Sequence, residues 1–413
     1  MKFYFPDSQD LVSPTYDFLQ DEYSPFRVRQ RDDRYAHEVL GRAPYHGILV
    51  SKAIVDGSVK GAGKYTSAQR ARLYRLGVER FFRLPKNIDS LGDNGAFNYA
   101  DELVPPVSVA ETLDFYEGCG FTSGISVDHI IFGYEPNHDF ETVASAWAER
   151  RLLTLRLAEE FIGKVVDQKL HVEPVGAAQG WSPASYADSV LQLQNMGYQR
   201  IALGGMVPLK TADIMDCLLA IDQVRQPQTE LHLLGITRIA SMAAFAQHGV
   251  ASFDSTSAFR QAFMDDRDNF HTADDSFVAL RVPQVEGNPT LRRGILSGRI
   301  SQKDAVKLER ACLKALRGFD GSQESRRVAL SALAEYELLC QTAKKSYITE
   351  YDRTLQAAPW SDCACTLCRE LGIEIAIFRG TERNKRRGFH NLSVLAAKME
   401  SLPAKPTQRS NRG

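Results

Sequence analysis

HVEPVGAAQGWSPASYADSVLQLQNMGYQRIALGG, residues 171–205, reads as strand, helix, strand. HVEPVGAAQ and QRIALGG are short apolar runs, whereas ASYADSVLQLQNMG between them carries its apolar residues at helical spacing. Two strands joined by one helix form a parallel βα unit. The same alternation continues on both sides. HGILVSKAI, GISVDHI, LHLLGI and VASFD read as further strands. SAQRARLYRLGVERFF, ETVASAWAERRLLTLRLAEEFIGKVV, TADIMDCLLAIDQV and RIASMAAFAQHG have helical spacing. Alternation over some 200 residues fits either a closed barrel or a doubly wound open sheet.

The strand ends separate the two. Asp93 follows NIDSLG, Asp128 follows GISV, Gln179 closes EPVGAA, Gly204 and Gly205 close RIAL, Gly235 closes LHLL and Asp254 closes VASF. In a (β/α)8 barrel all strand carboxyl ends share one mouth, where functional groups gather; an open sheet offers a crevice only at its switch point. Any one of these aspartates alone reads first as an N-cap of the following helix. Their recurrence on different strands is what points to a site. The expectation is an α/β protein, a (β/α)8 TIM barrel at residues 45–280, preceded by an N-terminal segment at 1–44. A helical insertion at 281–350, a zinc-binding subdomain at 351–395 and a basic, disordered tail at 396–413 complete it.

The subdomain rests on SDCACTLC, residues 361–368, and on His390 beyond it. Cys363, Cys365, Cys368 and His390 supply the three sulfurs and one imidazole nitrogen that fill a tetrahedral Zn²⁺ shell. The other cysteines, Cys119, Cys217, Cys312 and Cys340, are scattered. A disulfide framework does not fit that pattern, and a redox pair fits it less well than zinc. A closed four-ligand shell leaves no place for a reacting water, so this metal is structural and the chemistry belongs to the barrel.

Composition narrows the rest. The chain has 413 residues, 44% of them hydrophobic, and a net charge of −1. No apolar run approaches the ~20 residues that span a bilayer, and no signal segment is evident, so a cytoplasmic protein without a membrane partner is expected. Any surface for a polyanion must be local. The clearest basic stretches are Arg383–Arg387 and the tail KPTQRSNRG, each readable as a solvated face or as a nucleic-acid contact.

Seven segments in order resemble the tRNA-guanine transglycosylase superfamily. They are GDNGAFNY (92–99), SVDH (126–129), GAAQG (176–180), LGGMV (203–207), HLLGI (232–236), FDST (253–256) and CACTLC (363–368) with His390. The chain is most similar to the branch that places 7-deazaguanine bases in DNA. The resemblance implies that Asp254 is a nucleophile attacking C1′ and that Asp93 is the second carboxylate, moving protons. It implies that Asp128, Gln179 and the backbone of Gly204, Gly205 and Met206 read the purine edge. Phe97 and Leu234, with Gly235 beside the latter, would then enclose the base; as single residues Phe97 and Leu234 read equally well as core. The implied partners are a nucleic acid, DNA rather than tRNA, a 7-deazaguanine base such as preQ0, and other proteins of a DNA-modification system.

Departures from the tRNA enzymes matter for the substrate. Ile130 stands where they carry Cys, STSAFRQAFMDDRDNFH follows the nucleophile in place of their PTR stretch, and Arg260 is the nearest replacement for that arginine. Two alternatives remain beside a tRNA substrate. A retaining glycosidase also uses two carboxylates, but Trp147, Trp181 and Trp360 all lie away from them in sequence. A non-catalytic zinc module binding nucleic acid would leave Asp93, Asp128 and Asp254 unexplained.

Overall fold

The computed structural model describes residues 1–7, 9–57, 63–138, 140–340 and 346–401. Among them, eight parallel strands close into a barrel in sequence order: β1 (Lys2–Pro6), β2 (Gly47–Ser51), β3 (Asp89–Asp93), β4 (Ser123–Ile125), β5 (Glu173–Ala178), β6 (Arg200–Leu203), β7 (Glu230–Leu233) and β8 (Val250–Asp254). Closure is made by β1, which pairs with β2 through Tyr4–Gly47 and with β8 through Tyr4–Asp254. The interior is filled by Tyr4, Leu49, Leu91, Ile125, Val175, Ala177 and Ala202, one or two from each of six strands. It is a packed core, so chemistry is confined to its mouth. The helices between strands start where the sequence supplies caps. Thr66 with Gln69, and Ser108 with Glu111, form reciprocal capping boxes. Ser182 accepts from Ser185 N–H at a helix that opens with Pro183.

The chain divides into two compact units, and neither is one continuous segment. The barrel unit comprises Met1–Gln9, Tyr45–Thr256 and, of the described C-terminal residues, Met399–Ser401. The N-terminal boundary expected from sequence is therefore corrected: Lys2–Pro6 supply the closing strand, and 257–280 leave the barrel unit. KFYFP gives a short apolar run with no helix near it, so its place was not visible without its neighbours.

The second unit comprises Asp10–Pro44 and Ser257–Lys398. It holds the helices Gln302–Asp320, Arg326–Cys340, Ile348–Ala357 and Thr366–Leu371, and the long helix Gly380–Glu400 up to Lys398. The segments read as insertion and zinc subdomain thus share one unit with residues 10–44. The basic run Arg383–Arg387 lies on the long helix and is neither a solvated face nor a nucleic-acid contact. Arg383 is buried between Asp21 and Glu374, and Arg386 is buried against Glu382. Lys385 pairs with Asp10 at 3.3 Å. Arg387 donates to the carbonyls of Ala262, Ile375 and Ile377, and full burial pushes its pKa down to about 9. Buried guanidinium groups need such partners, because an unpaired buried charge costs several kcal/mol or more. Residues 396–400, expected in a disordered tail, continue the helix; KPTQRSNRG lies outside the described residues.

Candidate active site and metal centre

β3, β4 and β8 bring Asp93, Asp128 and Asp254 to the barrel mouth. Asp128 is buried, and burial raises its pKa. Two donors pull the other way: Asn94 Nδ2 reaches Oδ1 at 3.0 Å and Gln179 Nε2 reaches Oδ2 at 2.6 Å. Tyr99 holds this group in place, donating to Asn94 Oδ1 and positioned 3.1 Å from the Asp128 carbonyl. Gln179 in turn accepts the Ile131 N–H at 3.2 Å. Residues picked from the sequence as two independent base contacts are thus hydrogen-bonded to each other.

Asp93 has its pKa pushed up to about 7, first by burial and then by the charge of Asp128. The Asp254 charge adds to the rise, while the Gly95 N–H and the Ser51 hydroxyl oppose it. The three carboxylates therefore share one electrostatic neighbourhood. Like charges nearby make ionisation of Asp93 costly and hold its proton into the neutral range.

Asp254 is buried at the end of β8, and its Oδ1 accepts two hydrogen bonds. One comes from Gly235 N–H at 2.9 Å and the other from His232 Nε2 at 3.1 Å. Leu234 is partly buried against the barrel's interior cluster. Gly204 and Gly205 shape the Gln179 side. A Cβ on Gly204 would lie 2.1 Å from Gln179 Nε2, and Gly205 takes φ +74°, with its Cβ position 2.4 Å from the Ile131 carbonyl. A side chain is excluded at Gly205 by its backbone and the Ile131 carbonyl, whereas one at Gly204 would have to displace the Gln179 amide. Met206 is fully buried. Phe97 is not a core residue: it is 71% exposed and meets Phe132 edge to face, ring centroids 5.6 Å apart.

The sequence reading passed over Asn94, Tyr99, Phe132 and His232. Asn94 and Tyr99 stand within GDNGAFNY and could have been found there. His232 had one signal, a polar side chain inside the apolar run LHLLGI.

In the second unit, Cys363, Cys365, Cys368 and His390 place their ligand atoms within 4.8 Å of one another. The sulfurs lie 3.6, 3.5 and 3.3 Å from His390 Nδ1. A tetrahedral zinc with ordinary Zn–S and Zn–N bonds has S···N edges of about 3.6 Å, so the set fits the ion. His390 Nε2 points at the His271 carbonyl, 2.8 Å away, and must carry the proton, which leaves Nδ1 as the ligand. Cys365 also caps the helix Thr366–Leu371, accepting the Cys368 N–H at 3.3 Å. Bound zinc would serve as a closed structural cross-link. Among the described residues no helix is long and apolar enough to cross a membrane.

A closed parallel barrel with three carboxylates at its mouth defines a class of barrel enzyme, here with an accessory unit whose Cys₃His cluster can hold a metal. A protein of Salmonella montevideo named DNA-guanine transglycosylase is 47% identical over 405 residues, 97% of each chain. No protein-family model matches the chain. Identity at that level over nearly the whole length shows the family: the chain belongs to the guanine transglycosylases and is a base-exchanging, glycosyltransferase-type enzyme.

Proposed function

We propose that this enzyme exchanges guanine in DNA for a 7-deazaguanine base such as preQ0 through a covalent intermediate on Asp254. The observation that carries the reading is the unequal treatment of two carboxylates at one mouth. Asp93 is raised to about 7, in the range of a group that gives and takes protons at neutral pH. Asp254 has Oδ1 fixed by two donors, so Oδ2 is the oxygen left to attack.

In the first half, Asp254 Oδ2 bonds to C1′ and the C1′–N9 bond breaks. The electron pair leaves with guanine, and protonated Asp93 supplies the proton. In the second half, Asp93, now a carboxylate, removes a proton from the incoming base. The base nitrogen attacks C1′, the C1′–Oδ2 bond breaks, and its electron pair returns to the Asp254 carboxylate. The proton cycle closes without a co-reactant. Asp128 offers about four lone-pair sites, of which Asn94 and Gln179 use two, so the purine N1–H and amino group can take the others. Phe97 and Leu234 enclose the flipped base, recovering the few kcal/mol that extrusion costs. DNA is favoured by the name of the Salmonella montevideo relative and by the altered segment after the nucleophile.

The test uses DNA with labelled guanine, the same sequence as RNA, and preQ0 as acceptor. Wild-type protein should release guanine from DNA and form a denaturation-resistant protein–DNA adduct, and Asp254→Ala should do neither. Guanine release at the wild-type rate by Asp254→Ala would refute the nucleophile. Release from RNA alone would move the substrate to tRNA. Nucleoside analysis of DNA and tRNA from cells with and without the gene provides the same decision in vivo.

A further inference from the structure

His232 enters the scheme above only as one of the two donors that fix Asp254 Oδ1, yet it is 1% exposed and held from three sides. In the β7–β8 ladder it lies opposite Ser252, and Asp254 is two residues further along the same strand. Alternation puts Ser252 and Asp254 on one face of β8, so a single imidazole can bridge them. It does: Nδ1 is 2.9 Å from Ser252 Oγ, and Nε2 is 3.1 Å from Asp254 Oδ1. The Tyr4 ring meets the imidazole edge to face at 5.7 Å and limits its rotation. A carboxylate can only accept, so Nε2 carries the proton and Nδ1 accepts from the Ser252 hydroxyl. The tautomer is thereby set by the Asp254 carboxylate, and the serine hydroxyl, which can donate or accept, matches it.

Resting on the covalent reading of Asp254, we infer that His232 is a positioning residue for the second half of the reaction, the release of the sugar from Asp254. The two donors on Oδ1, His232 Nε2–H and Gly235 N–H, act differently in the two halves. Before attack they hold negative charge on the carboxylate, which orients Oδ2 but does not strengthen it as a nucleophile. In the ester intermediate Oδ1 is a carbonyl oxygen. As the incoming base attacks C1′ and the C1′–Oδ2 bond breaks, charge returns to the carboxylate, and both donors are already in place to receive it. This is the logic of an oxyanion hole applied to a leaving carboxylate. Gly235 cannot be replaced in this role by side-chain variation, but His232 can be tested.

A purely structural histidine and a release-promoting one predict different distributions of enzyme. Losing the imidazole donor should slow departure from the ester more than its formation. His232→Phe should therefore lower exchange on the order of 10²-fold, the scale of removing one preorganised donor. The fraction of protein trapped as adduct at steady state should rise. His232→Gln keeps an N–H near the position of Nε2 and should recover much of the rate with an adduct fraction near wild type. Both variants are measured on the full-length protein, with guanine-containing DNA, preQ0 and a denaturing quench. An adduct fraction that is unchanged, or that falls in step with the rate, overturns the inference, as does a glutamine variant no better than phenylalanine. Wild-type protein that turns over without any adduct overturns the Asp254 nucleophile and this inference with it. Wild-type adduct combined with an insensitive His232→Phe overturns the inference alone.

Discussion

Asp93 is the residue whose state sets the pH behaviour. Its pKa rises to about 7, chiefly through burial and then through the neighbouring Asp128. The first half-reaction draws on the protonated form, so guanine release should be steady below pH 7 and fall as the pH climbs past it. Asp93→Asn, which cannot carry a proton between the two bases, should lose about 10²–10⁴ in exchange, with the fall above pH 7 gone from whatever activity is left. The same shift has a stability consequence of definite sign. Between the unfolded carboxyl value near 4 and the folded value near 7, the native state binds more protons, so wild-type stability declines with pH across that window. Asp93→Asn removes the penalty. Its melting temperature should exceed that of wild type at pH 8 and approach it near pH 4; an advantage that is independent of pH would refute the shift. From sequence, the position of Asp93 at a strand end was legible. Its pKa was not, because that depends on Asp128 and Asp254, which reach it only through barrel closure.

At the scale of elements, β2 and β4 to β8 were readable because each is a short apolar run ending in a polar residue or glycine before a helical segment, and β3, DSLGD, only by the aspartate that closes it. The first strand, KFYFP, lacks that context; its partners are β2, 40 residues on, and β8, near residue 252. The arginine run misled for a related reason. A charge run looks solvated when its counterions are far away in sequence, and Arg383 finds Asp21 across 362 positions. Glycines at strand ends were read as letting backbone donors approach a flat base. The geometry adds a second demand, that nothing occupy the space of the Gln179 amide. Gly204→Ala places a methyl 2.1 Å from Gln179 Nε2. The amide can swing aside, so the fold should survive, with melting within a few degrees of wild type. The hydrogen bond to Asp128 cannot survive that swing. The expected result is a KM for guanine DNA and for preQ0 raised together by about tenfold or more, the cost of one hydrogen bond to a charged group. A KM shift for only one of the two bases would contradict a single pocket used in turn.

For the whole molecule, the decisive question is what lets two separated chain segments fold as the second unit. Residues 10–44 and 257–398 meet through buried ion pairs of Asp21 with Arg379 and Arg383, and Glu309 holds Arg379 from within the second segment. Ion pairs of this kind orient the segments but contribute little net stability, since desolvation offsets their attraction. The Cys₃His cluster is different. It ties the Cys363–Cys368 turn to His390 in the middle of the helix that carries Arg383, Arg386 and Arg387. Structural zinc contributes about 10–16 kcal/mol to folding in small metal-dependent domains, as much as the whole stability of an ordinary domain, about 5–15 kcal/mol. Metal content and order in this unit should therefore stand or fall together. Purified protein should hold one zinc per chain, and Cys365→Ser or prolonged chelation should remove it. Amide exchange in Thr366–Leu371 and Gly380–Glu400 should then accelerate by orders of magnitude. Restoring zinc to the chelated wild-type protein, but not to Cys365→Ser, should bring protection back. Metal-free protein that keeps slow exchange along Gly380–Glu400 would mean that the arginine network alone suffices, and the metal would lose its structural role.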